Sequence, residues 1–437
     1  MRALSFMERL SLASQYFCRI KKIMKFPYKS LDEIRAYQFK EIKALLIEAY
    51  ENVDFYKKFY DEHNVDVYTI SSLEEFSEKI PCITKKDIIE NTQAFINKKY
   101  KNKPLILSRS SGSSGTMVDL YADSSLYTEI ELRVIRMIKE IYSKYSAFEK
   151  EVLVYTSEYP VSSIMGMYRS FFVSNLLNYE KIFEFILEKK PTVIAIYPSI
   201  LREIIQHLSY DFKSLGIKLI ITNSEASTQL ERDDFAKIFD CDVIDEFSSE
   251  ELQSIAYQCS EKKYHEVSDC TYIEILELNS DKTAPMGEIG EITGTCLLNH
   301  AMPMIRYRQG DLATLTVTDC ACNKCTPILK HLEGRKNSSF LKRNGEIIPS
   351  GKLLDWAYSL VLDKSYKISE YKIIQESFEA VTILIVCNSL SEQDMQEIAE
   401  SFKAMFGEEF TVSVELVDRI EKTKAGKQIP IISKIIK

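Results

Sequence analysis

The chain has 437 residues, of which 45% are hydrophobic and 27% charged, and a formal net charge of −8. That length exceeds one ordinary core, so two or three domains are expected, and the composition is that of a soluble globular protein rather than a disordered one. The acidic balance gives no general attraction to nucleic acid or anionic membrane, and the lack of a signal-like or membrane-spanning apolar run predicts a cytoplasmic protein.

The first hundred residues read as amphipathic helix. In 37-YQFKEIKALLIEAYENVDFYKKFYDEH-63 apolar residues recur at helical spacing with no Gly or Pro to interrupt them. The basic residues between Arg19 and Lys29 fit a solvated helix face. Next, the apolar run 104-PLILS-108 and the possible strand 117-MVDLYA-122 flank a Ser/Gly run, 110-SSGSSGT-116. By composition that run is either a tether or a turn whose N–H groups and hydroxyls hold phosphate. It lacks the Lys of the usual phosphate loop and does not match G-x-G-x-x-G. Helix is expected again over 124–145, with Ser124 and Ser125 as candidate caps.

From residue 150, β-rich runs at 152–156, 192–197, 218–222 and 241–247 alternate with helical stretches such as 199–208 and 229–239. That order implies crossover units and a largely parallel sheet. Residues 271–318 are richer in strands, with turn signals at 285-PMGEIG-290 and 299-NHAMP-303, so an antiparallel subdomain beside the main sheet is expected. Beyond Gly334, the strands YKIIQE, VTILIVC and TVSVELV and a helix at 391–407 predict a small α+β domain.

Ten cysteines in so long a chain do not suggest a disulfide scaffold. Cys18, Cys82, Cys241, Cys270, Cys296 and Cys387 are scattered and read as packing residues. By contrast, Cys320, Cys322 and Cys325 lie close together, and Cys259 and His265 stand six apart upstream. Three Cys and one His are a normal structural zinc set; the alternative is reduced surface thiols and one core histidine.

Five segments occur in order: SSGSSGT at 110–116, DEFSSEE at 245–251, 304-MIRYRQGDLATL-315, 333-EGRKNSSFLKRNGEIIPS-350 and 423-TKAGK-427. Together they resemble the motif set of the adenylate-forming (ANL) superfamily, and the branch they look most like is the phenylacetate–CoA ligase group with its CapK-like proteins. The matches reach from FYKKFY and 80-IPCITKKDI-88 to the last dozen residues. The resemblance implies an α/β fold. A large N-terminal domain with mixed, largely parallel sheets would span residues 1–335, and a small mobile α+β lid residues 336–437.

Site roles follow from the same resemblance. Ser111, Gly112, Ser113, Ser114, Gly115 and Thr116 would cover the β- and γ-phosphates of ATP, although relatives often carry Pro-Lys where this chain has Val118 and Asp119. Phe247 would stack on adenine and Asp245 accept its amino group, while Ser248 replaces the usual Gly. Glu251 falls at the Mg²⁺ carboxylate; Glu250 sits where relatives have Thr or Ser, and a one-residue slip would make it the ligand. Asp311 would take the ribose hydroxyls, Arg335 a ribose or phosphate contact, and Asn337 stands where relatives have a hinge Asp. Lys427 would contact the substrate carboxylate and the α-phosphate, where negative charge gathers during in-line attack. The spacing C-x5-H…C-x-C resembles the zinc site of this branch, which implies Cys259, His265, Cys320 and Cys322 as ligands, with Cys325 a spare or a replacement for Cys320.

The implied activity is ATP- and Mg²⁺-dependent activation of a carboxylic acid, an aryl acid at the level of the branch, to an acyl-adenylate. Transfer to a thiol follows, coenzyme A being the expected acceptor. An alternative sends the acyl group to an amine or a carrier-protein thiol. Another is a non-catalytic nucleotide-binding relative, motivated by Val118, Ser248, Glu250 and Asn337. The small-molecule acid is the expected partner, with no nucleic acid and no membrane span; a dimer is compatible with the chain.

Overall fold

The computed structural model describes residues 3–110, 117–278, 280–330, 332, 334, 338–362 and 366–435. Five helices lead: α1 (Phe6–Lys25), α2 (Leu31–Asn52), α3 (Asp54–Glu62), α4 (Leu73–Lys79) and α5 (Lys85–Asn91). Reciprocal Ser–Glu capping boxes start α1 (Ser5, Glu8) and α2 (Ser30, Glu33), satisfying N–H groups that the helix leaves unpaired. The uninterrupted helix expected over 37–63 is broken at Val53, which is extended (φ −117°, ψ 113°) and 1% exposed. Burying Val53 together with Tyr56 and Tyr60 of α3 against the main core turns the chain where no Gly or Pro marks it.

Strands β1 (Ile106–Arg109) and β2 (Asp119–Ala122) form an antiparallel hairpin, and Ser110 N donates to Val118 O at 3.0 Å beyond its last paired residues. The pairing thus extends to Ser110 and Val118 on either side of the Ser/Gly run. Helix α6 (Ser124–Ile141) follows, but its cap is Asp123 rather than Ser124 or Ser125. The Asp123 carboxylate accepts the Ser125 amide at 3.2 Å and its hydroxyl at 2.6 Å, being the last extended residue after β2.

The α/β layer runs β3 (Lys150–Tyr155), β4 (Arg169–Ser174), α7 (Tyr179–Lys189), β5 (Val193–Ile196), α8 (Pro198–His207), β6 (Leu219–Asn223), α9 (Gln229–Phe239) and β7 (Asp242–Ser249). Its strands pair in parallel in the order β4-β3-β5-β6-β7. Both faces are covered, which is why the central strands β5 and β6 are almost wholly apolar. Val152, Val154, Ile194, Ile196 and Ile220 pack on α7, α8 and α9, whereas Leu153, Ala195, Ile221 and Ile244 pack under α6 and α1.

Strands β8 (Gln253–Gln258), β9 (Tyr264–Glu266), β10 (Thr271–Leu276), β11 (Gly290–Cys296), β12 (Tyr307–Thr316) and β13 (Ile328–Lys330) are antiparallel, as expected, but they do not form a separate sheet. One eleven-stranded order, β10-β11-β12-β13-β9-β8-β7-β6-β5-β3-β4, joins them to the parallel strands. The long β12 makes the join, pairing with β11 through Tyr307–Ala313 and with β13 through Thr314–Thr316. The segment before α5 lies along it, Arg308 N donating to Ile83 O at 2.9 Å.

The remainder comprises β14 (Phe340–Leu341), β15 (Ile347–Ile348), α10 (Ser350–Leu362), β16 (Glu370–Gln375), β17 (Ala380–Val386), α11 (Glu392–Phe406), β18 (Thr411–Leu416) and β19 (Ile431–Ser433). Its four-stranded sheet, β18-β17-β16-β19, has its own core around Trp356, Ile373, Ile383 and Phe402. Among the described residues no helix is long and apolar enough to cross a membrane.

Candidate active site and metal centre

The ends of β3, β5, β6 and β7 point the same way, and the loop after a parallel strand is where side chains collect over an α/β sheet. Onto this edge the C-terminal part of the chain lays its 423-TKAGK-427 turn. Gly426 N donates to Thr423 O at 2.8 Å, and Lys427 N to Thr423 Oγ1 at 3.1 Å. The Ala425 carbonyl then accepts Asn175 Nδ2 at 2.9 Å and Thr156 Oγ1 at 3.2 Å, while Gln428 N donates to Glu225 Oε1 at 2.7 Å. Gly426 is required twice over: its φ is +74°, and a Cβ there would stand 2.9 Å from both Asn175 Nδ2 and Leu176 Cδ2.

Held in this way, Lys427 Nζ lies 5.9 Å from the Tyr197 ring centroid, at the end of β5. Its charge reaches Glu250. Crowding by protein around the Glu250 carboxyl and the charge of Glu251 push its pKa up, while a hydrogen bond from Ser108 and Lys427 itself pull it down. The Glu250 side chain keeps contact with solvent, so water relieves part of that crowding. Glu251 is 8% exposed, and its described hydrogen bond is a long one from Tyr307 Oη, 3.5 Å. A nearly buried carboxylate with so little internal pairing suits a hard cation such as Mg²⁺.

Asp245 sits on β7 with both carboxylate oxygens engaged: Thr222 Oγ1 donates at 2.6 Å and Tyr264 Oη at 2.9 Å. Each oxygen keeps a lone pair for a further donor. A bulge between Phe247 and Ser248 turns the end of β7; Phe247 is half-buried against the main core and Ser248 is exposed. Asp311 is 7% exposed on β12, and the adjoining Leu312 N donates to Gly334 O at 3.0 Å, so the chain leading to Arg335 runs beside it. Ser111, Gly112, Ser113, Ser114, Gly115, Thr116, Arg335 and Asn337 lie outside the described residues.

Several residues at this edge carry no motif in the sequence: Tyr197, Asn175, Thr156 and Glu225. Thr156, Tyr197 and Glu225 end or follow a β-rich run, and that position was the available signal; Asn175 follows β4, which no such run marked. A second tie between the two parts is Arg202 of α8. It donates to Glu231 Oε1 at 2.9 and 2.6 Å and reaches Gln428 Oε1 at 3.4 Å.

The metal set forms a separate site where the β8–β9 turn meets the β12–β13 connection. One ligand atom from each of Cys259, His265, Cys320 and Cys322 lies within 4.8 Å of all the others. Cys259 Sγ and Cys320 Sγ are 3.8 Å apart, and Cys322 Sγ is 3.3 Å from His265 Nε2. Tetrahedral zinc with Zn–S of about 2.3 Å and Zn–N of about 2.0 Å requires edges of roughly 3.8 and 3.5 Å, so the donors fit the ion. His265 Nδ1 is 3.1 Å from Thr326 Oγ1, which directs Nε2 at the sulfurs. Burial, helped by the charge of Lys324, pushes the imidazole down to about 4, leaving it neutral near physiological pH. Cys325 is exposed and its amide is held by Pro27 O at 2.8 Å, outside the cluster.

Comparison with known proteins places this geometry. The CapK C-terminal domain family matches residues 340–434. A phenylacetate–coenzyme A ligase of Aromatoleum evansii is 28% identical over 305 residues, covering 65% of this chain and 67% of that protein. Protein CapK of Staphylococcus aureus is 22% identical over 435 residues, covering 94% and 91%. In fold, a 2-hydroxyisobutyryl-CoA ligase in its postadenylation state superposes with a TM-score of 0.77 at 17% identity, covering 94% of this chain and 91% of that one. The chain is thus similar in sequence to phenylacetate–CoA ligases and to CapK, and it shares the fold of a CoA ligase.

Proposed function

We propose that the protein is an AMP-forming acid–thiol ligase. The carboxylate of the substrate attacks the α-phosphorus of ATP and pyrophosphate leaves; a thiol then attacks the acyl carbon and AMP leaves. The observation that carries this reading is the seating of the Lys427 turn over the ends of the parallel strands, its charge felt by Glu250: Asn175 and Thr156 donate to Ala425 O, and Gln428 N donates to Glu225. A cation there stabilises charge that builds between carboxylate and phosphate as the two approach. Glu251, with Glu250 beside it, would hold Mg²⁺, which screens the phosphates when bound. Asp245 and Phe247 would hold adenine, and Asp311 with Arg335 the ribose. The Ser111–Thr116 turn would cover the phosphates, and residues from 336 onward would act as a lid turning about Asn337.

The thiol is coenzyme A, the co-substrate in the names of the relatives, and the acid is of the small, carboxyl-bearing class they use. Cys259, His265, Cys320 and Cys322 would hold a structural zinc ion, all four positions being filled by protein. The decisive measurement is acid-dependent exchange of pyrophosphate into ATP, with product mass identifying the acceptor. Lys427→Ala is expected to abolish exchange while leaving the fold intact; full activity in that variant would refute the role.

A further inference from the structure

Polar groups interrupt the apolar layer between α6 and the parallel sheet. Side chains alternate along a strand, so Glu151 and Tyr155 face α6 with Leu153, Asn223 faces it with Ile221, and Glu246 with Ile244. Ala195 is the small residue of β5 on this face. From above, α6 contributes Glu131, one turn after Tyr127. Tyr127 meets Tyr159 edge-on at 5.5 Å and hydrogen-bonds Ser108, the residue that also bonds Glu250. A continuous line of side chains therefore leads from the Glu250–Glu251 pair down to Glu131.

This lining is rich in acceptors and poor in donors; Glu246 accepts from Ser254 Oγ at 3.1 Å. Glu131 is 8% exposed and Glu151 6%, and among the described residues neither makes a hydrogen bond or ion pair. The Tyr159 hydroxyl is sealed from solvent without a partner, although the charges of Glu131 and Glu246 both act on it. Asn223 is 3% exposed; its Nδ2 donates to Tyr155 Oη at 2.7 Å while its Oδ1 has no partner. Among the described residues no cation pairs with Glu131 or Glu151, and Arg133 and Arg136 of α6 turn away to Asp269. The three carboxylates do not converge on one point either: among the described residues, the Cys/His set is the only group able to share a metal ion.

We infer that this layer opens to take a carboxylic acid bearing a protonated amine at the end remote from its carboxylate, with Glu131 and Glu246 as the residues that select it. This rests on the adenylate-forming reading, which sets the reacting carboxylate under Lys427 and the rest of the acid against α6. An ammonium group supplies several donors and the missing positive charge to acceptors spread too widely for a metal ion. Burial holds the Glu131 and Glu151 carboxyls up at about 8 in the free protein, the cost of leaving them without a counter-charge.

The test uses matched acids of equal shape: para-(aminomethyl)phenylacetic against para-ethylphenylacetic acid, and ε-aminocaproic against heptanoic acid. Pyrophosphate exchange and calorimetric binding are measured on the full-length protein, its Glu131→Gln variant and its Glu246→Gln variant. The ammonium member of each pair is expected to lead by about tenfold or more in kcat/KM and in affinity. Either variant should erase that lead while keeping activity on the neutral acid. A lead for the neutral acids, an unchanged preference in both variants, or no binding of either acid would overturn the inference. Selective binding of the amines without exchange would keep it and instead refute the adenylation reading.

Discussion

Gly426→Ala isolates what docking of the 423–427 turn contributes to the reaction. The left-handed backbone at φ +74° costs an L-residue about 1–2 kcal/mol, but that strain is present whether or not the turn is docked. The contacts are different, because they exist only in the docked arrangement. An alanine Cβ 2.9 Å from Asn175 Nδ2 and Leu176 Cδ2 forces Asn175 to retreat, and its 2.9 Å bond to Ala425 O goes with it. A lost neutral hydrogen bond is worth about 0.5–1.5 kcal/mol, and residual crowding brings the docked-state cost to roughly 1–2 kcal/mol. At about 1.4 kcal/mol per factor of ten, pyrophosphate exchange should fall roughly 5- to 30-fold. Gly345→Ala is the control: its φ is +87°, nothing lies within 4 Å of the point a Cβ would occupy, and it should cost stability without touching exchange. Asn175→Ala removes the residue that is crowded, so adding it to Gly426→Ala should cost less than the two separately. Exchange within twofold of wild type in Gly426→Ala, or strict additivity in the double variant, would refute the seating of Lys427 by this turn.

Other outcomes follow from the same structure. Zinc should co-purify at one ion per chain, and Cys322→Ser should lower that content and the Tm together, as read by metal analysis and calorimetry. Asp269→Ala strands the buried Arg136 guanidinium, which pairs with both Asp269 oxygens at 2.9 Å, and leaves Arg133, whose Nε lies 3.2 Å away, with Glu129 alone; denaturant unfolding should show a loss of about 3–5 kcal/mol. Glu131 is raised by burial to about 8, so the folded state holds a proton that the unfolded state releases above the ordinary glutamate range. Its contribution to stability is therefore present in acid and is lost as pH rises toward and past about 8, the reverse of a salt-bridged carboxylate. Glu131→Gln should raise Tm in alkaline buffer and change it little in acid, and a uniform shift across the pH series would refute that sign.

Local chemistry was legible where one segment suffices to state it. Runs such as TVIAIY and KLIIT are apolar throughout because both sheet faces are covered, and that pattern survives without knowledge of the neighbours. The helix expected over 391–407 forms as α11, Ser391 and Asp394 closing a capping box at its start. The break at Val53 was not legible, since it comes from burial against strands that lie two hundred residues away. The strand Arg169–Ser174 was missed for a related reason: at the sheet edge its burial is incomplete, and its apolar run is short.

By itself the sequence determined the α/β class, the order of the five motifs, and the residue types available for phosphate, carboxylate and zinc chemistry, because each depends on neighbours along the chain. Only the tertiary structure decided which of these meet. Folding brings Cys259 and Cys320, sixty-one residues apart, to 3.8 Å, and leaves nearby Cys325 outside. It brings the Lys427 turn onto Asn175, Thr156 and Glu225, none of which carries a motif. It also turns Glu131, Glu151 and Glu246 from three helices and strands into one uncompensated layer. The physical reason is range: capping and alternation act within a few residues, whereas burial, counter-charge and ligand geometry depend on atoms that only the packed sheet brings within a few ångströms.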